Sequence, residues 1–372
     1  MEQGVNDLIE ISRFYGSNPE YIIAGGGNTS FKNDEKLWIK ASGSSLATIG
    51  KDGFVCLSRS ELKKISEKTY SENSSEREAE VKADLHRAIL YPENKRPSVE
   101  TSLHEIIGFP LVVHTHPTLV NALMCSNNAQ QTVRKLFGNE VLFVEYTDPG
   151  YILFKKVEAE IIKFRKEQGE EPSVIFLQNH GVFVGANSID EIKTIYGSIE
   201  KKLRSCITAS LPATDDLAAE KPAEQIAALL EQLFGVHLSG VLFSANALVQ
   251  SFVKNRETFA KVNKPFTPDD IVYCKSNYAF SSSHPEELKR VVSEFKNRCG
   301  YLPKVIAVQG EGLLAVEENP KSAQTVMEVF QNMMKVSFYS ENFGGPHFMT
   351  QQQIDFIDSW EVENYRRQIA KQ

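Results

Sequence analysis

The sequence predicts a mixed α/β fold in two domains, on three observations. Short strand-like apolar runs alternate with helical patterns through residues 1–208 of the 372-residue chain. Residues 209–224, rich in Ala, Pro and acidic side chains, then break the pattern and read as a linker. Residues 225–372 resume the alternation as a second, smaller α/β domain. At this length a single core approaches its upper size, which favours two.

In chain order, residues 5–15 predict an opening surface helix, followed by the cluster Gly25-Gly26-Gly27. Residues 29–32 and 37–40, separated by Asn33-Asp34-Glu35, carry a hairpin signature. Residues 68–80 read as a polar, mobile stretch leading into a helix that ends before Pro92. Residues 109–113, 174–178 and 182–184 read as strands, and residues 190–207 as a helix. The run PKVIAVQGEGLLA from Pro303 repeats PSVIFLQNHGVFV from Pro172 at five of 13 positions. That echo points to a degenerate duplicate in the second domain, with Glu311 standing where the first has His180.

Composition excludes several classes of function. With 41 Lys and Arg against 48 Asp and Glu, the net charge of −7 repels phosphate backbones and anionic lipid. Neither nucleic acid nor a membrane surface is an expected partner. The five cysteines include no C-x-x-C pair and read as free thiols of a reducing compartment. The first residues lack the basic start and apolar run of a signal peptide. No stretch approaches the roughly 18–20 apolar residues of a membrane span, so a cytoplasmic location is expected.

The strongest chemical feature is His114-Thr115-His116, at the end of the apolar run FPLVV. Strand residues two apart share a face, roughly 6.5–7 Å apart along the backbone, so two imidazoles there can converge on one ion. Surface histidines at a strand end would give the same pattern. His180, in Asn179-His180-Gly181 between two strand runs, supplies a third imidazole or merely closes a strand end. Three histidines with an open fourth position describe a catalytic metal site rather than a structural one.

Between these elements, Arg96-Pro97-Ser98-Val99-Glu100 leads into a short helical pattern in which Ser98 is a suitable N-cap. Glu100 is either a general base or a carboxylate that favours the helix dipole. His104 reads as structural. The triple glycine fits neither dinucleotide nor P-loop patterns, so nucleotide binding is not expected. It and Ala41-Ser42-Gly43-Ser44-Ser45 are small-residue loops that could approach a phosphate closely, or simply turns.

In order, the motifs GGGNTS, IKASG, PSVE with a following LH, HTHP and LQNHGVFV resemble the class II aldolase/adducin family from Gly25 to about Val184. The fit is closest to the aldolase half of bifunctional rhamnulose-1-phosphate aldolase/lactaldehyde dehydrogenases. It continues through FTPDD at Phe266, the Pro303 run and the closing DSWEVENYR, with no dehydrogenase part within these 372 residues. The resemblance implies a layered fold with a central, mainly antiparallel sheet flanked by helices.

It also implies a zinc ion held by His114, His116 and His180, Glu100 as acid/base, and Asn28, Ser42, Gly43 and Ser98 around a substrate phosphate. Many relatives carry a second serine where this chain has Val99, which weakens the phosphate inference. The family's tyrosine acid has no matching position; Tyr146 and Tyr151 fall near the expected loop. The implied reaction is retro-aldol cleavage of a rhamnulose- or fuculose-type ketose 1-phosphate to dihydroxyacetone phosphate and lactaldehyde, by a homo-oligomer, commonly a tetramer. Related epimerases, a dehydratase and a non-catalytic adducin-like module are the alternatives. In the second domain His237, His284 and His347 form neither H-x-H nor N-H-G, so no second metal site is expected there.

Overall fold

The computed structural model describes residues 2–215, 228, 231 and 240–360. Its contacts divide the chain into two compact units. The first takes the residues up to Met124 and Ala129–Cys206; the second takes Cys125–Asn128 and the described residues from Ile207 onward. Cys125–Asn128 belongs with the second because its backbone pairs there: Asn127 N donates to Gly345 O, Asn128 N to Phe343 O, and Cys125 O accepts from His347 N. Of the expected linker, Ala213 O and Thr214 O accept hydrogen bonds from Leu248 N and the Asn246 side chain. Residues 216–224, His237 and the end of DSWEVENYR lie outside the described residues.

The first unit opens with helix α1 (Glu2–Gly16) and strands β1 (Asn28–Lys32), β2 (Lys36–Lys40) and β3 (Phe54–Ser58). Helices α2 (Arg59–Glu67) and α3 (Ser74–Arg87), strand β4 (Ile89–Tyr91), helix α4 (Thr101–Ile106) and strand β5 (Leu111–Thr115) follow. Then come α5 (Thr118–Met124), α6 (Ala129–Phe137), β6 (Leu142–Val144), α7 (Tyr151–Gln168), β7 (Val174–Leu177), β8 (Gly181–Ala186) and α8 (Ile189–Arg204).

Among the described residues these strands form one sheet in the order β4-β3-β2-β1-β5-β8-β7-β6. Neighbours run antiparallel except β6 and β7, which are parallel. The fold is therefore the α/β arrangement the sequence predicts, with a mainly antiparallel sheet. The central strands are apolar because helices cover them: Val112, Val55 and Ile39 are fully buried, and Phe154, Val157 and Ile161 of α7 join the same core. Burying each such side chain contributes roughly 1.5–3 kcal/mol.

Two expectations change. Residues 68–80 are not uniformly irregular, because Asn73 accepts hydrogen bonds from Ser75 N and Glu76 N and starts α3 at Ser74. Helix α4 begins at Thr101 with Glu100 as N-cap, so Ser98 does not cap it directly. Ser98 Oγ instead accepts from Glu100 N at 3.3 Å, just ahead of the helix.

In the second unit β9 (Gly240–Ser244), β10 (Ala279–Ser281), β11 (Val305–Val308) and β12 (Gly312–Glu317) form a sheet in the order β10-β11-β12-β9. Its directions, parallel then antiparallel twice, reproduce β6-β7-β8-β5 of the first sheet. A helix precedes the parallel partner in each (α7; Pro285–Cys299), and a helix follows the last strand in sequence (α8; Pro320–Ser340). No described helix is long and apolar enough to cross a membrane.

Candidate metal centre

The antiparallel pairing carries distant residues to one end of the sheet. Asn28 opens β1 directly opposite His114, near the end of β5, and His114 lies opposite Phe183 of β8. Directly paired residues share a face, so Asn28, His114 and Phe183 form a row across it. His116 follows β5 on the same parity, and the β7–β8 turn supplies His180. Asn179 takes the left-handed conformation in that turn (φ 53°), and His180 N closes it on Leu177 O at 3.3 Å.

Three imidazoles thereby converge. One ring nitrogen from each of His114, His116 and His180 lies within 4.8 Å of the others, and the Nε2 atoms of His114 and His116 are 2.9 Å apart. His114 is fully buried, and Phe183 stacks on it at 4.0 Å. Its Nδ1 contacts Val182 O at 3.0 Å. A carbonyl only accepts, so Nδ1 carries the proton and Nε2 presents a lone pair toward the cluster. Burial drives the His114 pKa well below its usual value, which keeps that ring neutral.

Glu100 faces the histidines. Its Oε1 lies 3.4 Å from Nε2 of both His114 and His180 and is buried without a hydrogen-bond partner. Oε2 accepts from Asn28 Nδ2 at 2.6 Å. Burial opposes ionisation of Glu100, but positive charge at the histidine cluster and the Asn28 amide hold its pKa below the usual carboxylate value. Three converging imidazole nitrogens beside a buried carboxylate oxygen suit a divalent cation, so the residues present fit a metal site.

The other sequence candidates gather at the same end of the sheet. Ala41 pairs with Pro97, Ser42 N donates to Arg96 O at 2.8 Å, and Ser98 N donates to Lys40 O at 3.1 Å. Lys40 Nζ donates to Gly25 O and Gly27 O, tying the glycine loop to the same strand end. Asn28 and Ser98 are buried; Gly43 is exposed, with φ 86°. The glycine loop feeds β1 rather than a helix, so it makes no dinucleotide cradle. Tyr146 and Tyr151 bond elsewhere, through their hydroxyls to Asp148 and to Lys68 O.

Sequence reasoning missed Phe183, Lys40 and the place of His104. A signal existed for the last: His104 follows Glu100 by four residues, one helical turn.

A profile for the class II aldolase and adducin N-terminal domain matches residues 6–206, more than half of the chain, and the chain belongs to that family. It is 27% identical over 191 residues to the uncharacterized oxidoreductase YuxG of Bacillus subtilis (strain 168), a match covering 49% of this chain and 26% of that protein. The chain thus spans about a quarter of that relative's length. Among solved structures it resembles the N-terminal class II aldolase domain of a Thermoplasma acidophilum protein, with 23% identity and TM-score 0.46, covering 55% of this chain and 93% of that one. It also resembles L-fuculose-1-phosphate aldolase from Thermus thermophilus, with 14% identity and TM-score 0.36, covering 55% and 93%.

Proposed function

We propose that the protein is a zinc-dependent lyase that cleaves a rhamnulose- or fuculose-type ketose 1-phosphate to dihydroxyacetone phosphate and lactaldehyde. The observation that carries this reading is the Glu100 carboxylate, whose unpartnered Oε1 is aimed at the His114–His116–His180 cluster. When bound by those imidazoles, the cation supplies Lewis-acid stabilisation of the negative charge that develops as a carbon–carbon bond beside a carbonyl breaks.

The chain's own residues do the rest. Glu100 moves a proton to or from the carbon at the broken bond, a role that requires a carboxylate at the metal site. Asn28 holds Glu100 through Oε2 and leaves Oε1 turned toward the histidines. The loops bearing Ser42, Gly43 and Ser98 supply small residues and backbone amides for the substrate phosphate. The five-motif series, closest to the aldolase half of the bifunctional rhamnulose-1-phosphate proteins, supports this substrate class. The protein is proposed to act in the cytoplasm as a homo-oligomer, a tetramer in the family pattern; light scattering measures the assembly.

Glu100→Gln tests the assignment. It should retain zinc by elemental analysis and lower kcat by about 10²–10⁴-fold. A variant with unimpaired kcat would remove Glu100 from the reaction.

A further inference from the structure

The mechanism leaves His104, a buried titratable group beside Asn28, unexplained. His104, in α4, is fully buried, and both its ring nitrogens are engaged. Nδ1 lies 2.7 Å from Ser30 Oγ, and Nε2 meets Asn28 Oδ1. Ser30 and Asn28 are two residues apart on β1, so the strand presents both to the same ring.

The direction of each hydrogen bond follows from its far end. Glu100 acts as an ionised acceptor, so the Asn28 amide must turn its NH₂ toward Oε2, at 2.6 Å. That turns Asn28 Oδ1, an acceptor, toward His104 Nε2, which must therefore carry a proton. Burial holds the ring neutral, lowering its pKa to about 3, so Nδ1 is left as an acceptor for the Ser30 hydroxyl. One tautomer satisfies the whole chain: Ser30 O–H to Nδ1, Nε2–H to Asn28 Oδ1, Asn28 N–H to Glu100. Any other would set two acceptors or two donors face to face inside the protein.

An asparagine amide can rotate by half a turn at little cost unless its partners forbid it. Rotated, Asn28 would point a carbonyl oxygen at the carboxylate and push Glu100 out of place. We propose that His104 is a positioning residue, which as its Nε2–H tautomer fixes the Asn28 amide and so holds Glu100 against the three histidines. This rests on the role assigned to Glu100 above. His104 touches no substrate and binds no metal; it acts through Asn28.

Two measurements on the zinc-loaded protein test it. In the first, ¹⁵N-histidine NMR with His104→Gln to assign the signal should find His104 neutral, with the proton on Nε2. The Nδ1–H tautomer or an imidazolium would overturn the proposal. In the second, His104→Phe keeps the ring volume but offers no donor, whereas His104→Gln can place an amide N–H near the Nε2 position. The Phe variant should keep zinc stoichiometry and KM while losing at least tenfold in kcat, and the Gln variant should recover most of that loss. A folded, zinc-loaded Phe variant with wild-type kcat would overturn the proposal. If the wild type cleaves no ketose 1-phosphate, the functional reading fails by itself. The tautomer then decides this inference alone, as it does if the Phe variant does not fold.

Discussion

A Cβ at Gly181 would stand 2.6 Å from the Thr115 carbonyl oxygen and 2.6 Å from His116 Cδ2. Thr115 is paired into the sheet opposite Val182, so relieving the backbone clash strains the register, and the His116 ring must move as well. Gly181→Ala should therefore lower zinc occupancy and destabilise the protein by about 1–3 kcal/mol, as overpacking does. Elemental analysis with a thermal melt measures both; unchanged occupancy and Tm would contradict the account. Removing one of the three imidazoles is more severe, and His180→Ala should abolish zinc retention after dialysis. The three histidines were legible as a candidate set from H-x-H and N-H-G because strand parity and a turn between two apolar runs are local properties. Phe183 was not, since what it touches depends on which strands pair, and the spacing of His104 from Glu100 left its partners on β1 hidden for the same reason.

Helix Pro268–Cys274 shows the same limit one scale up. Its start could be anticipated from Thr267-Pro268, and Thr267 and Asp270 form a capping box. Only packing reveals that Asp270 is buried, with Oδ2 accepting from Phe266 N and Thr267 N. Burial pushes its pKa from 3.8 up to about 7, although those amides pull it down. A raised carboxyl pKa means the folded state holds a proton that the unfolded state has lost, so its contribution to stability is complete below 3.8 and is lost as pH rises toward 7. Asp270→Asn keeps an acceptor for both amides without a charge. It should gain on the wild type, by on the order of 1–3 kcal/mol, as pH rises from about 4 to about 8. Urea melts at both pH values test this, and a pH-independent difference would contradict it. The β1–β2 hairpin and β5 were readable from turn residues and apolar runs. The short edge strands β4 and β6, of three residues each, were not, because they carry too few positions to show a period.

At the scale of the whole molecule, the second sheet retains the topology of β6-β7-β8-β5 without the three histidines. Register identifies the substitutes: Leu313 pairs with Ser244 as Val182 pairs with Thr115, which sets Phe243, Ala245 and Glu311 at the positions of His114, His116 and His180. The turns agree too, since Glu311 N closes on Val308 O and Gly310 (φ 71°) stands for Asn179. A Cβ on Gly312 would meet Ser244 O at 2.5 Å, as one on Gly181 meets Thr115 O. This agreement supports a duplication, which the 13-residue echo announced and strand order extends well beyond it. Zinc should accordingly bind at one equivalent per chain, and the double variant His114→Ala/His180→Ala should lose all of it; half-retention would reveal a second site. The most direct test of the central claim is dihydroxyacetone phosphate release from a panel of ketose 1-phosphates, by protein stripped with chelator and then restored with zinc. The account predicts cleavage of at least one member, lost on chelation and regained with the metal. Full zinc occupancy with no cleavage of any member would contradict it.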